Sequence, residues 1–140
     1  MTKLNLQIRR YSVLILLFFF ASCYHYFEKS FYEKITGINF PKDYHIMETF
    51  DNGEYYTATV FLIDSLVLAD FVKTNHFETI KEIPTLVSGS QLRMVNPYSG
   101  NPKNIFVNRG VKGKNSWVYI ANLNAHILWA EVQYPDWAGN

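Results

Sequence analysis

The side chains with the most chemical potential lie near the C-terminus. Every tryptophan of the chain, Trp117, Trp129 and Trp137, falls within 21 residues, and Tyr134 accompanies them. On a strand running over 125–134, successive side chains point to opposite faces. Ile127, Trp129, Glu131 and Gln133 therefore share one face, and His126, Leu128, Ala130 and Val132 share the other. The second set reads as core-facing, which leaves Trp129 exposed on a wet face. Tryptophan and tyrosine supply large contact area with few rotamers to freeze. Trp129, Glu131 and Gln133, with Trp137 from the tail, thus form a weak candidate surface for an envelope protein or a glycan. If that surface were catalytic, the chemistry would be glycoside hydrolysis, which needs two carboxylates about 5–10 Å apart across a cleft. Glu131 and Glu48, both in strand-like segments, are the candidates. The competing reading makes Glu131 and Gln133 the solvated side of an ordinary antiparallel strand.

Other reactive constellations point away from chemistry. No Gly-x-Ser-x-Gly elbow occurs, and Ser88-Gly89-Ser90 and Tyr98-Ser99-Gly100 have loop composition. His25, His45, His76 and His126 are scattered, with no His-Glu-x-x-His pair and no cysteine partner. Asp51-Asn52-Gly53 matches only the start of a calcium loop, because Tyr55 and Thr57 stand at later ligand positions. No metal and no cofactor is expected. After Cys23, ten basic residues face twelve acidic ones, a net charge of −2 with no basic run. Phosphate backbones are bound through clustered Lys and Arg, so nucleic acid is not an expected partner.

The N-terminus, MTKLNLQIRRYSVLILLFFFASC, carries the most specific pattern. Lys3, Arg9 and Arg10 form a basic head, and Val13 to Phe20 is an unbroken apolar run. A basic head, an apolar core and small exit residues describe an export signal. Its exit, Phe20-Ala21-Ser22-Cys23, resembles the lipobox of bacterial lipoproteins, with Phe20 where that class usually has Leu. The resemblance implies removal of residues 1–22, a diacylglycerol on the Cys23 thiol, and a membrane-anchored domain outside the cytoplasm in the cell envelope. Two alternatives stand beside it. An ordinary signal peptide could be cut near Ser22, leaving Cys23 free, or the segment could stay uncut as an anchor. A span needs about 20 apolar residues, and Ser22, Cys23 and His25 interrupt before that length. Cys23 is the only cysteine, so no intrachain disulfide can form. The functional expectation is a membrane-tethered lipoprotein with a small non-catalytic binding domain. The alternatives are a cell-wall glycan hydrolase using Glu131 and an envelope inhibitor or immunity protein.

The elements that must position these residues follow from periodicity. Tyr24, Phe27, Phe31 and Ile35 recur at helical spacing before Gly37, which predicts a short amphipathic helix. It is either a collar at the membrane or a helix packed on its own domain. Strands are predicted over 44–50 and 55–63, joined by Asp51-Asn52-Gly53-Glu54, where Asn-Gly favours a tight turn with both residues at positive φ. Asp64-Ser65 caps a helix over 65–75. Weaker extended pieces are expected within 78–87 and 91–95, and a brief strand over 105–107 that Gly110 brings to an end. The last hairpin pairs 117–121 with 125–134 across Asn122-Leu123-Asn124. The chain thus divides into a signal peptide (1–22), an attachment site with a collar helix (23–37) and one α+β domain (38–140). That domain is expected to be an antiparallel sheet of four to six strands with one helix across a face. Ten Tyr and eleven Phe suit such a sheet core.

Overall fold

The computed structural model describes residues 27–82, 84, 92 and 96–134. The predicted helical stripe winds into α1 (Lys29–Thr36), which buries Tyr32, Ile35 and Thr36. Gly37 ends it at φ 75°, and its N–H returns to the Glu33 carbonyl at 2.8 Å. The Asn-Gly hairpin forms between β1 (His45–Asp51) and β2 (Tyr56–Leu62). Its turn departs from expectation, because Gly53 adopts positive φ and Asn52 does not. Asn52 instead turns its side chain inward, and Oδ1 accepts the amides of Glu54, Tyr55 and Tyr56 at 3.0–3.1 Å. One side-chain carbonyl satisfies three loop amides, which favours this wider turn over the two-residue one.

Helix α2 (Ser65–Thr74) starts where its cap predicts, with Asp64 Oδ1 accepting the Leu66 and Val67 amides. After it come β3 (Glu78–Thr79), a 3-10 turn at Pro102–Asn104, β4 (Ile105–Lys112), β5 (Asn115–Asn122) and β6 (Ile127–Gln133). All pairings are antiparallel, in the order β1-β2-β6-β5-β4-β3. The described residues are therefore α+β, with two helices and an open six-stranded antiparallel sheet. Residues 91 and 93–95, like Trp137, Cys23 and the N-terminal segment, lie outside the described residues.

Each sheet face has its own core. Tyr32 and Ile35 of α1 and Leu68, Phe71 and Val72 of α2 share one cluster with Phe61, Tyr119, Leu128 and Val132 of the sheet. Helix α1 packs on its own domain, one of the two roles weighed for it. Its register on the sheet is set by polar contacts inside this core. The Tyr32 hydroxyl meets Thr57 Oγ1 at 3.0 Å and Thr59 Oγ1 at 3.2 Å, and Thr59 in turn meets Thr49 at 2.8 Å. Burial of Tyr32 pushes its hydroxyl up to about 12, because the charged form would lose its solvation. On the opposite face Tyr56, Ala58, Val60, Leu92, Ile105, Ile120 and Trp129 form a second cluster.

Gly110 does not stop β4. The strand continues to Lys112 and turns through Gly113 (φ 64°) and Lys114 into β5, with Lys112 opposite Asn115. The reason is the cross-strand partner: Gly110 pairs with Trp117, whose indole lies over the glycine where a side chain would stand. Glycine inside a strand commonly marks such a close approach. A methyl at position 110 would collide with the Trp117 ring. Gly110→Ala is therefore expected to destabilise the domain by about 1–3 kcal/mol, the usual range for overpacking, read as a lower urea midpoint. An unchanged midpoint would show that the ring moves freely.

Candidate functional site

Of the residues singled out from sequence, Trp129, Glu131 and Gln133 sit on β6, the third strand of the order, between β2 and β5, and Glu48 lies on the edge strand β1. Alternation along β6 is as expected, but it separates two cores and not a core from water. Trp129 is 1% exposed, flanked by Val60 and Ile120. This corrects the expectation of an exposed indole: a central strand is covered on both faces, so even its second face is dry. Glu131 is 3% exposed between Ala58 and Val118. Gln133 is half-buried and accepts a hydrogen bond from Ser116 Oγ at 3.2 Å. The pair Trp129 and Glu131 is thus together on one face, and both are closed to a partner. Trp129 Nε1 is buried with no hydrogen-bond partner among the described residues. Tyr98 packs against the same cluster, and burial, aided by the Glu131 charge, raises its hydroxyl to about 12.

An open concavity lies elsewhere, at the β3–β4 edge. It encloses about 450 Å³ and is lined by His76, Glu78, Lys81, Glu82, Asn108 and Arg109 among others. The end of α2 builds one wall. His76 stands at φ 55°, its N–H bonded to Lys73 O at 3.3 Å, while Phe77 N–H reaches Val72 O at 3.1 Å. These two bonds are the Schellman pattern, which normally places glycine at the left-handed position. A residue with a Cβ there carries about 1–2 kcal/mol of strain. The Phe77 ring, 5.4 Å from Phe71, anchors the turn in the helix-side core. The second wall is β4. Asn108 Nδ2 donates to Asn75 O at 2.9 Å, and its Oδ1 accepts from Trp117 Nε1 at 2.9 Å. One amide therefore locks the helix end to the strand that carries Arg109.

No family model, curated protein or solved structure matches this chain. The chemistry of the cleft must then be read from its own atoms. Glu78 and Glu82 line the same hollow as Lys81 and Arg109, so carboxylate and cationic side chains are both at hand. Such a lining is more polar than a typical small-molecule pocket and suits a ligand with charges of both signs. No group of three or more His, Cys, Asp or Glu residues able to hold a metal occurs among the described residues. His76 was set aside in the sequence because the four histidines are scattered with no metal-ligand spacing. Sequence reasoning missed Arg109 because β4 was expected to stop at Val107. The turn at Gly113 was the available signal for a longer strand, hidden by the usual role of glycine as a strand breaker.

Proposed function

We propose that this chain is a membrane-tethered envelope lipoprotein whose small α+β domain binds a partner without catalysis. The observation that carries the reading is the N-terminal pattern, in which a basic head, an apolar run and Phe20-Ala21-Ser22-Cys23 follow in order. Cys23 is the lipid-attachment residue. A diacylglycerol supplies two chains, and two chains give stable anchoring where one is only marginal. Packing begins as early as Phe27, which supports a domain that follows the attachment site almost at once. Among the described residues no helix is long and apolar enough to cross a membrane.

The partner surface is the cleft at the β3–β4 edge, whose lining exposes Glu78, Lys81, Glu82 and Arg109 together. Its partner is an envelope protein segment or a glycan that presents both a cation and an anion. The burial of Glu131, 3% exposed, lends no support to glycoside hydrolysis, which needs carboxylates flanking an open cleft. Intact mass of protein extracted from membranes tests the address. The expected result is loss of residues 1–22 and acyl chains on Cys23, and a full-length or unacylated mass would refute it. A photo-crosslinker at Glu82 tests the surface. Arg109→Glu is expected to weaken the crosslinked complex roughly tenfold or more, the equivalent of about 1.4 kcal/mol. Unchanged crosslinking would remove the cleft from the proposal.

A further inference from the structure

We infer that the lipid tether seats the domain directly on the bilayer, with the start of α1 and the 41–44 turn resting on the headgroups and the far end of β4 raised away from them. This orientation rests on the lipoprotein reading above. Cys23 and Phe27 are separated by Tyr24, His25 and Tyr26 alone. Four steps of fully extended chain reach about 14 Å. Slack cannot be recruited from further along, because Phe27 is held. Its ring packs against Tyr32, Phe40, Tyr44 and Phe61 at centroid distances of 4.8, 5.4, 5.7 and 4.7 Å. Those contacts join it to α1, the following turn and β2 at once. Acyl chains on Cys23 therefore hold this end of the domain within about 14 Å of the membrane, well under the roughly 30 Å diameter of a small domain.

The surface around Phe27 suits that position. The Lys29 ammonium donates to Pro41 O at 3.3 Å, Lys42 is exposed beside it, and half-buried Tyr44 stacks edge-on against Phe27. Tyrosines are enriched at the membrane–water boundary, and a lysine near an anionic leaflet is worth about 1 kcal/mol. Exposed Glu28 and Asp43 offset the lysines, so the short tether and not net charge keeps this end at the bilayer. The opposite pole follows from the strand register. Phe61 lies opposite Leu128, Leu128 opposite Ala121, and Ala121 opposite Phe106. Three strand spacings are about 14 Å, and Val111, five residues beyond Phe106, adds about 17 Å along β4, which places it about 22 Å from the Phe61 end. Val111 is 74% exposed.

The lone cysteine makes the test clean, because lipid on Cys23 leaves an introduced cysteine as the single free thiol. The mature full chain, with its mass checked for acylation, is reconstituted in phosphatidylethanolamine–phosphatidylglycerol vesicles carrying a headgroup-bound nickel chelate. A fluorophore on Lys42→Cys is expected to be quenched several-fold more than one on Val111→Cys. Ten Gly/Ser residues inserted between Tyr26 and Phe27 add a root-mean-square reach of about 17 Å and are expected to bring the two values together. Equal quenching at both positions in acylated protein without the insert would overturn the orientation. An unacylated mass would instead bring down the lipoprotein reading, and the seating with it.

Discussion

Trp129→Ala is expected to destabilise the domain by about 3–5 kcal/mol, the range for removing a large buried aromatic and leaving a cavity. The indole is 1% exposed on a central strand, with Val60 and Ile120 beside it and Leu92 and Ile105 in the same cluster. Small domains hold about 5–15 kcal/mol in total, so a loss of that size leaves a substantial unfolded fraction. Urea unfolding followed by far-ultraviolet circular dichroism reads the change without relying on the lost fluorophore. Trp129→Phe separates packing from recognition. It keeps most of the ring and removes an N–H that is buried without a partner among the described residues. Its loss is therefore expected to be clearly smaller, with partner binding retained. A surface contact residue would behave otherwise, with a change within about 0.5 kcal/mol for either substitution.

Asn122→Ala is expected to lose about 2–4 kcal/mol, because each buried polar group left unsatisfied costs about 1–3 kcal/mol. The side chain is fully buried and makes four hydrogen bonds. Nδ2 donates to the carbonyls of Pro97 and Ser99 at 3.1 and 2.6 Å, and Oδ1 accepts the amides of Asn124 and Ala125 at 3.1 Å each. One amide thus ties the 97–99 loop to the β5–β6 turn. The local signature is faster hydrogen exchange at Asn124 and Ala125. Asn122→Asp keeps the acceptor but turns a negative oxygen toward two carbonyls. Burial beside those dipoles raises the carboxyl's pKa in the folded state, so its harm is greatest at neutral pH and eases on acidification as the group protonates. Equal stability of Asn122→Ala and the parent would show that the loop is held by other contacts.

Local signals in the chain were read well where a single residue decides the backbone. Asp64 capped α2 where expected, and Gly37 ended α1, because an oxygen acceptor and a left-handed residue act on their immediate neighbours. The hairpin at Asp51–Tyr56 was legible for the same reason, though not its turn type. Asn52 offers two ways to close a loop, and three amides within reach of Oδ1 decided between them. Gly110 was misread because its partner, Trp117, is seven residues away and becomes its neighbour only across the β4–β5 pair.

The N-terminal pattern, the lone cysteine, the α+β class and the face alternation of β6 are properties of short stretches, and the sequence by itself determined them. Which face of β6 meets water is a property of strand order. The β5–β6 hairpin was legible, but only the tertiary structure set β2 on the other side of β6 and put a second core over Trp129. A period-two pattern distinguishes one face from the other but carries no information about what covers either. The same holds for the cleft: His76, Glu78 and Arg109 come from a helix end and two strands, and pairing of β3 with β4 is what brings them to one hollow.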